Sequence, residues 1–101
     1  MTTVDSAQAA QALAESAVRA RVAACAQVDG PLTSTYWWRG QVETAQEWRV
    51  TFKTTAVRYA QLEAHVRAHH GYDVPEILGT AVVAGNPDYL RWIADETSTV
   101  D

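Results

Sequence analysis

From Glu47 to Thr54 the chain alternates without a break. Trp48, Val50, Phe52 and Thr54 fall on one side, and Glu47, Arg49, Thr51 and Lys53 on the other. A period of two marks a strand with one buried face. Upstream, Leu32 to Trp38 is rich in Thr, Tyr and Trp and reads as a second strand. Arg39-Gly40-Gln41 reverses the chain between them. The resulting hairpin, Leu32 to Phe52, is long for a chain of 101 residues. It is expected to extend beyond the core of one subunit, and its exposed edge needs a cover.

The remaining segments supply that core. Thr2 to Val4 is a short β-prone stub. Asp5 with Gln8 forms a capping-box pattern, and Ala10, Leu13, Ala14, Ala17 and Val18 then recur at helical spacing. A helix is predicted from Ser6 to Arg21, with Glu15 and Arg19 as an i,i+4 pair. Val22 to Val28 is small and apolar, and Asp29-Gly30-Pro31 reads as a turn or kink. A second helix is predicted from Ala56 to His70, capped by Thr55, with Tyr59, Leu62 and Val66 inward and Gly71 ending it in a left-handed conformation. Val74-Pro75 keeps the chain extended into a last strand, Ile77 to Val83. Asn86-Pro87 opens a third helix that Tyr89, Leu90 and Ile93 would dock. Two β-α-β units predict one α+β domain over 1–101, a ferredoxin-like β-α-β-β-α-β sandwich with an extra C-terminal helix.

Charge and cysteine usage narrow the function. Twelve acidic residues against eight basic ones give a net charge of −4, and Lys53 is the only lysine. Nucleic-acid binders use a basic face to displace counterions from phosphates, so none is expected here. No apolar run approaches the ~20 residues of a membrane span, so no membrane partner is expected either. The opening residues lack the basic and apolar regions of a secretory signal. With Cys25 the only cysteine, no intramolecular disulfide can form, and the expectation is a cytoplasmic protein.

Several residues carry two readings. Cys25 is a soft metal ligand or nucleophile, or a small hydrophobe between Ala24 and Ala26. His65 and His69, four apart on the second helix with His70 following, suit a divalent metal such as copper(II). They equally suit a helix C-terminus, whose dipole favours them. Lys53 stands where a helix begins and would hold an anion there, or it pairs with Glu47 or Glu76. Trp37, Trp38, Trp48 and Trp92 serve ligand stacking or, more in keeping with a projecting hairpin, a subunit interface. No carboxylate pair, Gly-rich phosphate loop or Ser-His-Asp order argues for catalysis.

Taken in order, five short motifs resemble the CutA family. They are Val22-Ala23-Ala24-Cys25, Ser34-x-Tyr36-x-Trp38-x-Gly40, Glu47 with Lys53-Thr54-Thr55, His70-x-Tyr72-x-x-Pro75-Glu76-Ile77, and Gly85-Asn86-Pro87-x-Tyr89-Leu90-x-Trp92. The resemblance implies a tight homotrimer, similar in architecture to PII-type signalling proteins, and an association with tolerance to divalent metals, copper in particular. It implies a non-catalytic pocket between subunits lined by Cys25, Trp38, Lys53, His70, Tyr72 and Glu76, taking a divalent cation or a small anionic ligand. Two alternatives remain: an enzyme using a Cys25–His70 dyad with Lys53 stabilising charge, and a PII-like trimer whose loops contact a protein partner. The chain departs from the family in three ways. Its first strand is truncated to Thr2–Val4, Gly71 stands where the family typically has proline, and one cysteine cannot supply a cysteine ligand set.

Overall fold

The computed structural model describes residues 1–98. Its elements run β1 (Thr2–Val4), α1 (Ala7–Arg19), β2 (Cys25–Trp38), β3 (Gln41–Lys53), α2 (Tyr59–His69) and α3 (Pro87–Glu96). The strands form one antiparallel sheet in the order β1-β3-β2. On α1, three of the four buried residues are alanines, Ala10, Ala14 and Ala17, so the helix can sit close to the sheet around Leu13. They join Val4, Val50, Leu62 and Val66 in a single core. Burying one such Leu or Val side chain stabilises by about 1.5–3 kcal/mol. The opposite face of the sheet carries Gln27, Asp29, Arg49, Thr51 and Lys53.

The α+β, ferredoxin-like reading holds, with local differences. Ser6 rather than Asp5 caps α1, its hydroxyl accepting the Ala9 N–H at 3.0 Å. The helix stops at Arg19 because Arg21 turns left-handed, at φ 60°. There the Arg21 and Val22 N–H groups close on the Val18 and Ala17 carbonyls at 3.0 and 3.2 Å, the bond pattern that ends many helices. Thr55 caps a turn before α2, accepting the Arg58 N–H with its carbonyl and its hydroxyl, so α2 begins at Tyr59. It ends in an extended His70, φ −88° and ψ 144°, and Gly71 is not left-handed.

The break expected at Asp29-Gly30-Pro31 is a bulge within one strand. Asp29 pairs with Arg49 and Leu32 with Glu47, so three steps on β2 face two on β3. The tip is a two-residue turn, Arg39 at φ 52° and Gly40 at φ 80°, the pairing that matches strand twist in hairpins. It fixes Trp38 opposite Gln41, Tyr36 opposite Glu43 and Ser34 opposite Ala45. The molecule measures 47 × 27 × 22 Å.

The last strand expected from Ile77 to Val83 shrinks to one bridge. Ile77 pairs with Thr2, and Leu78 exchanges hydrogen bonds with Met1. This places the segment on the free side of the fully buried β1, where a ferredoxin-like sheet needs it. Beyond Leu78 no strand among the described residues lies alongside, and Val82 and Val83 are 72 % and 97 % exposed. On α3, Asn86 caps as expected, accepting the Asp88 N–H at 2.9 Å. Ile93 alone is buried there, while Tyr89, Leu90 and Trp92 remain exposed.

Candidate functional site

Glu47 is the most buried carboxylate among the described residues, at 9 % exposure. Its position follows from the hairpin register, which turns it to the face shared with Glu43. Tyr72 donates its hydroxyl to Glu47 Oε2 at 2.9 Å. Burial first, and this bond second, hold the Tyr72 phenol well above its ordinary range. Behind Tyr72, His70 fastens the loop to β1. Its Nε2 lies 2.8 Å from the Thr3 carbonyl, which can only accept, so Nε2 carries the proton. Nδ1 then accepts the Tyr72 N–H at 3.1 Å. Both imidazole nitrogens are engaged.

These residues wall a cleft of about 690 Å³ between the hairpin and the 71–76 loop. Ser34, Tyr36, Trp38 and Glu43 line it from the hairpin, Thr3 and Glu47 from the sheet, and Tyr72, Asp73 and Glu76 from the loop. Among the described residues lining it, none is Lys, Arg or His. An anionic ligand therefore finds no counter-charge on these walls.

The structure divides the six expected pocket residues. Trp38, Tyr72 and Glu76 line the cleft, and His70 stands directly behind it. Cys25 and Lys53 pair with each other at the far end of the hairpin. Thr2 pairs with Val50, two strands away and three residues along, which puts Cys25 and His70 on the order of 10 Å apart in each direction. Within one chain no Cys25–His70 dyad forms. Lys53 donates to Gln27 Oε1 at 3.1 Å and lies 5.7 Å from the Tyr89 ring, so neither expected carboxylate pairs with it. With α2 starting at Tyr59, it is also removed from a helix N-terminus.

On α2 the His65 and His69 rings stack at 4.2 Å. His65 Nε2 meets Ser16 Oγ at 2.8 Å, and His69 Nδ1 donates to the His65 carbonyl at 2.8 Å. That leaves His65 Nδ1 and His69 Nε2 without a hydrogen-bond partner among the described residues, while His70 faces β1. Among the described residues no group of three or more His, Cys, Asp or Glu is placed to hold a metal ion, and no helix is long and apolar enough to cross a membrane.

Burial, with a smaller push from His69, lowers the His65 pKa below its ordinary 6.5. The fold thus favours the neutral ring, so its contribution is present above pH 6.5 and fades as pH falls through the lowered value. Urea midpoints should drop as pH falls below about 6.5, and Ser16→Ala/His65→Gln should flatten that slope. An unchanged slope in the variant would remove His65 as its source.

Three of the four tryptophans are exposed. Trp37 is 73 % exposed at the tip, Trp38 lies beneath the Arg39 guanidinium at 5.3 Å, and Trp92 stacks with Tyr89 at 5.5 Å. Trp48 instead packs against Gly30. The motif reading missed Ser34, Tyr36, Glu43, Glu47 and Asp73 as cleft residues. The signal was available: a turn at Arg39-Gly40 sets Tyr36 opposite Glu43.

Comparison with known proteins agrees with the motifs. The family described as "CutA1 divalent ion tolerance protein" matches residues 1–96. The divalent-cation tolerance protein CutA of Thermus thermophilus is 39 % identical over 95 residues, covering 94 % of this chain and 92 % of the relative. The chloroplastic protein CutA 1 of Oryza sativa is 37 % identical over 95 residues, 94 % of this chain but 54 % of that protein. The chain thus spans about half of the plant relative. Among solved structures, the Thermus thermophilus protein superimposes with a TM-score of 0.93 at 38 % identity, over 96 % of this chain and 94 % of that one. CutA from Xylella fastidiosa does so with 0.93 at 34 % identity, over 96 % and 93 %.

Proposed function

The chain belongs to the CutA1 divalent ion tolerance family, and from that premise we propose that it acts as a non-catalytic binding protein in a homotrimer. The observation that carries this reading is the hairpin. It exposes Trp37, Trp38, Tyr36 and Val42, while Val82 and Val83 lie exposed on an unpaired segment. Exposed aromatic and apolar residues beside unpaired backbone favour pairing with another chain. Three copies, each hairpin laid against a neighbour, would cover these surfaces. Such an assembly is also the way for a neighbour's Cys25 and Lys53 to approach the Trp38–Tyr72–Glu76 cleft. A cytoplasmic setting, with Cys25 reduced, is part of the proposal.

For the metal we propose copper(II), which favours imidazole nitrogen and stands high in the divalent order. His65 and His69 are its candidate ligands through their unengaged nitrogens. His70 would have to surrender two hydrogen bonds, so binding in one chain is expected to be weak.

Sedimentation equilibrium tests the assembly. A mass of about 33 kDa is expected, three times the 11.1 kDa chain, and a stable monomer at micromolar concentration would sink it. Calorimetric titration with copper(II) at pH 7.5 tests the ligands on the same sample. His65→Ala/His69→Ala should weaken binding more than Cys25→Ser, and the reverse order would shift the site to the cysteine.

A further inference from the structure

From Leu78 through Trp92 every residue is exposed, and the chain regains the core only at its last described turn. There Ile93 and Thr97, four apart on one side, are 7 % and 1 % exposed. Buried side chains and paired backbone set how much free energy a segment needs to open by itself. By that measure α3 is the least secured of the three helices. Four side chains are buried on α1 and two on α2, but only one on α3. The stretch leading into it, 79–85, belongs to no strand.

Two arginines hold the far end. Arg58, from the turn capped by Thr55, donates Nε to the Thr97 carbonyl. Arg21, at the left-handed end of α1, donates Nη1 to the Glu96 carbonyl at 3.1 Å and to Glu96 Oε2 at 2.9 Å. The last carbonyls of a helix lack partners within it and carry the negative end of its dipole, so guanidinium groups are favourable there. The last turn of α3 has no basic residue of its own. Its carbonyls are therefore served from the end of α1 and the start of α2. At the near end the hold is slight. Leu90 packs on Gly85 of the same segment. Tyr89, stacked on Trp92, lies 5.7 Å from Lys53 Nζ.

We propose that α3 is a hinged strap over Lys53, latched at its C-terminal turn by Arg21 and Arg58, and that it opens as a unit while the core stays folded. Opening lifts Tyr89 from Lys53 and frees the chain's single lysine. The role of this motion rests on the trimeric reading, in which Lys53 is one of the groups a neighbour brings to the cleft. The strap then controls when that ammonium is presented.

Hydrogen–deuterium exchange of the full chain, read peptide by peptide, tests the latch. Amides of 89–97 should exchange at least about tenfold faster than those of 10–17. Arg58→Met/Glu96→Gln should speed 89–97 about tenfold further, as loss of bonds to charged groups does, and leave 10–17 unchanged. Glu15→Gln breaks the exposed Glu15–Arg19 pair and should alter neither region. Acetylation of Lys53, read on its own peptide and so separated from the Met1 amine, should accelerate in the same double variant. Exchange of 10–17 in each sample reports whether the core is folded, and Arg58→Met alone gives a milder opening. Exchange of α3 in step with α1, unchanged exchange of 89–97 in the double variant, or unchanged Lys53 acetylation would each overturn the strap. Sedimentation on the same samples reads the assembly separately. A trimer whose α3 exchanges with its core overturns only the strap, and a monomer whose α3 opens alone overturns only the assembly.

Discussion

Gly30→Ala should destabilise the fold by about 3 kcal/mol, read as a lowered urea midpoint. Gly30 sits in the bulge of β2 at φ +153°, a region that side chains rarely enter. A Cβ there would lie 2.6 Å from Trp48 Cδ1 and 2.9 Å from Cγ, with the Glu47 carbonyl oxygen at 3.1 Å. Neither obstacle is the far end of a flexible chain. Cγ is anchored next to the backbone, and the carbonyl belongs to the central strand. Relief would require moving the Trp48 ring out of its place against the core, or opening the ladder where Leu32 pairs with Glu47. Gly71→Ala is the control: Gly71 has no positive φ, and nothing lies within 4 Å of its added Cβ. It should change stability by well under 1 kcal/mol or slightly stabilise. Equal midpoints for Gly30→Ala and the wild type would mean that the bulge relaxes freely, and the strain argument would fall.

That bulge also shows where sequence reading stops. Asp29-Gly30-Pro31 has the composition of a turn, and locally nothing distinguishes a chain reversal from an irregularity inside a paired strand. The difference is decided by β3, which continues past on the other side. The same holds for the segment after Ile77. Its composition is that of a strand, but a strand requires a partner, and among the described residues only Met1 and Thr2 provide it. The elements whose signals are self-contained were legible: the alternation of β3, the small-residue face of α1, and the Asn86-Pro87 start of α3. The site was legible in part. Trp38, Tyr72 and Glu76 sit in recognisable motifs, whereas Glu43 and Asp73 become meaningful only once the register and the loop close around one cleft. His70 stood in the motif too, but its role as the fastener between loop and β1 depends on the Thr3 carbonyl, 67 residues away.

Tyr72→Phe should cost about 2 kcal/mol at neutral pH, the usual worth of a hydrogen bond to a charged group. The ring would keep its place beside His70, 4.8 Å between centroids, so the loss isolates the hydroxyl. Glu47 would then lose its one described donor, and a buried carboxylate without a donor carries the full desolvation cost. Adding Glu47→Gln to Tyr72→Phe should therefore recover part of the loss, since the stranded charge is gone. The pH dependence supplies a second check. Tyr72 has its pKa raised in the fold, first by burial and then by Glu47. Its contribution is complete below the unfolded tyrosine value of about 10 and fades as pH climbs through the raised value. The stability gap between wild type and Tyr72→Phe should thus be constant from pH 7 to 9 and narrow above 10. A gap that stays constant through pH 11 would assign the cost to packing rather than to the Tyr72–Glu47 bond. The cleft would then lose the contact that holds its buried carboxylate in place.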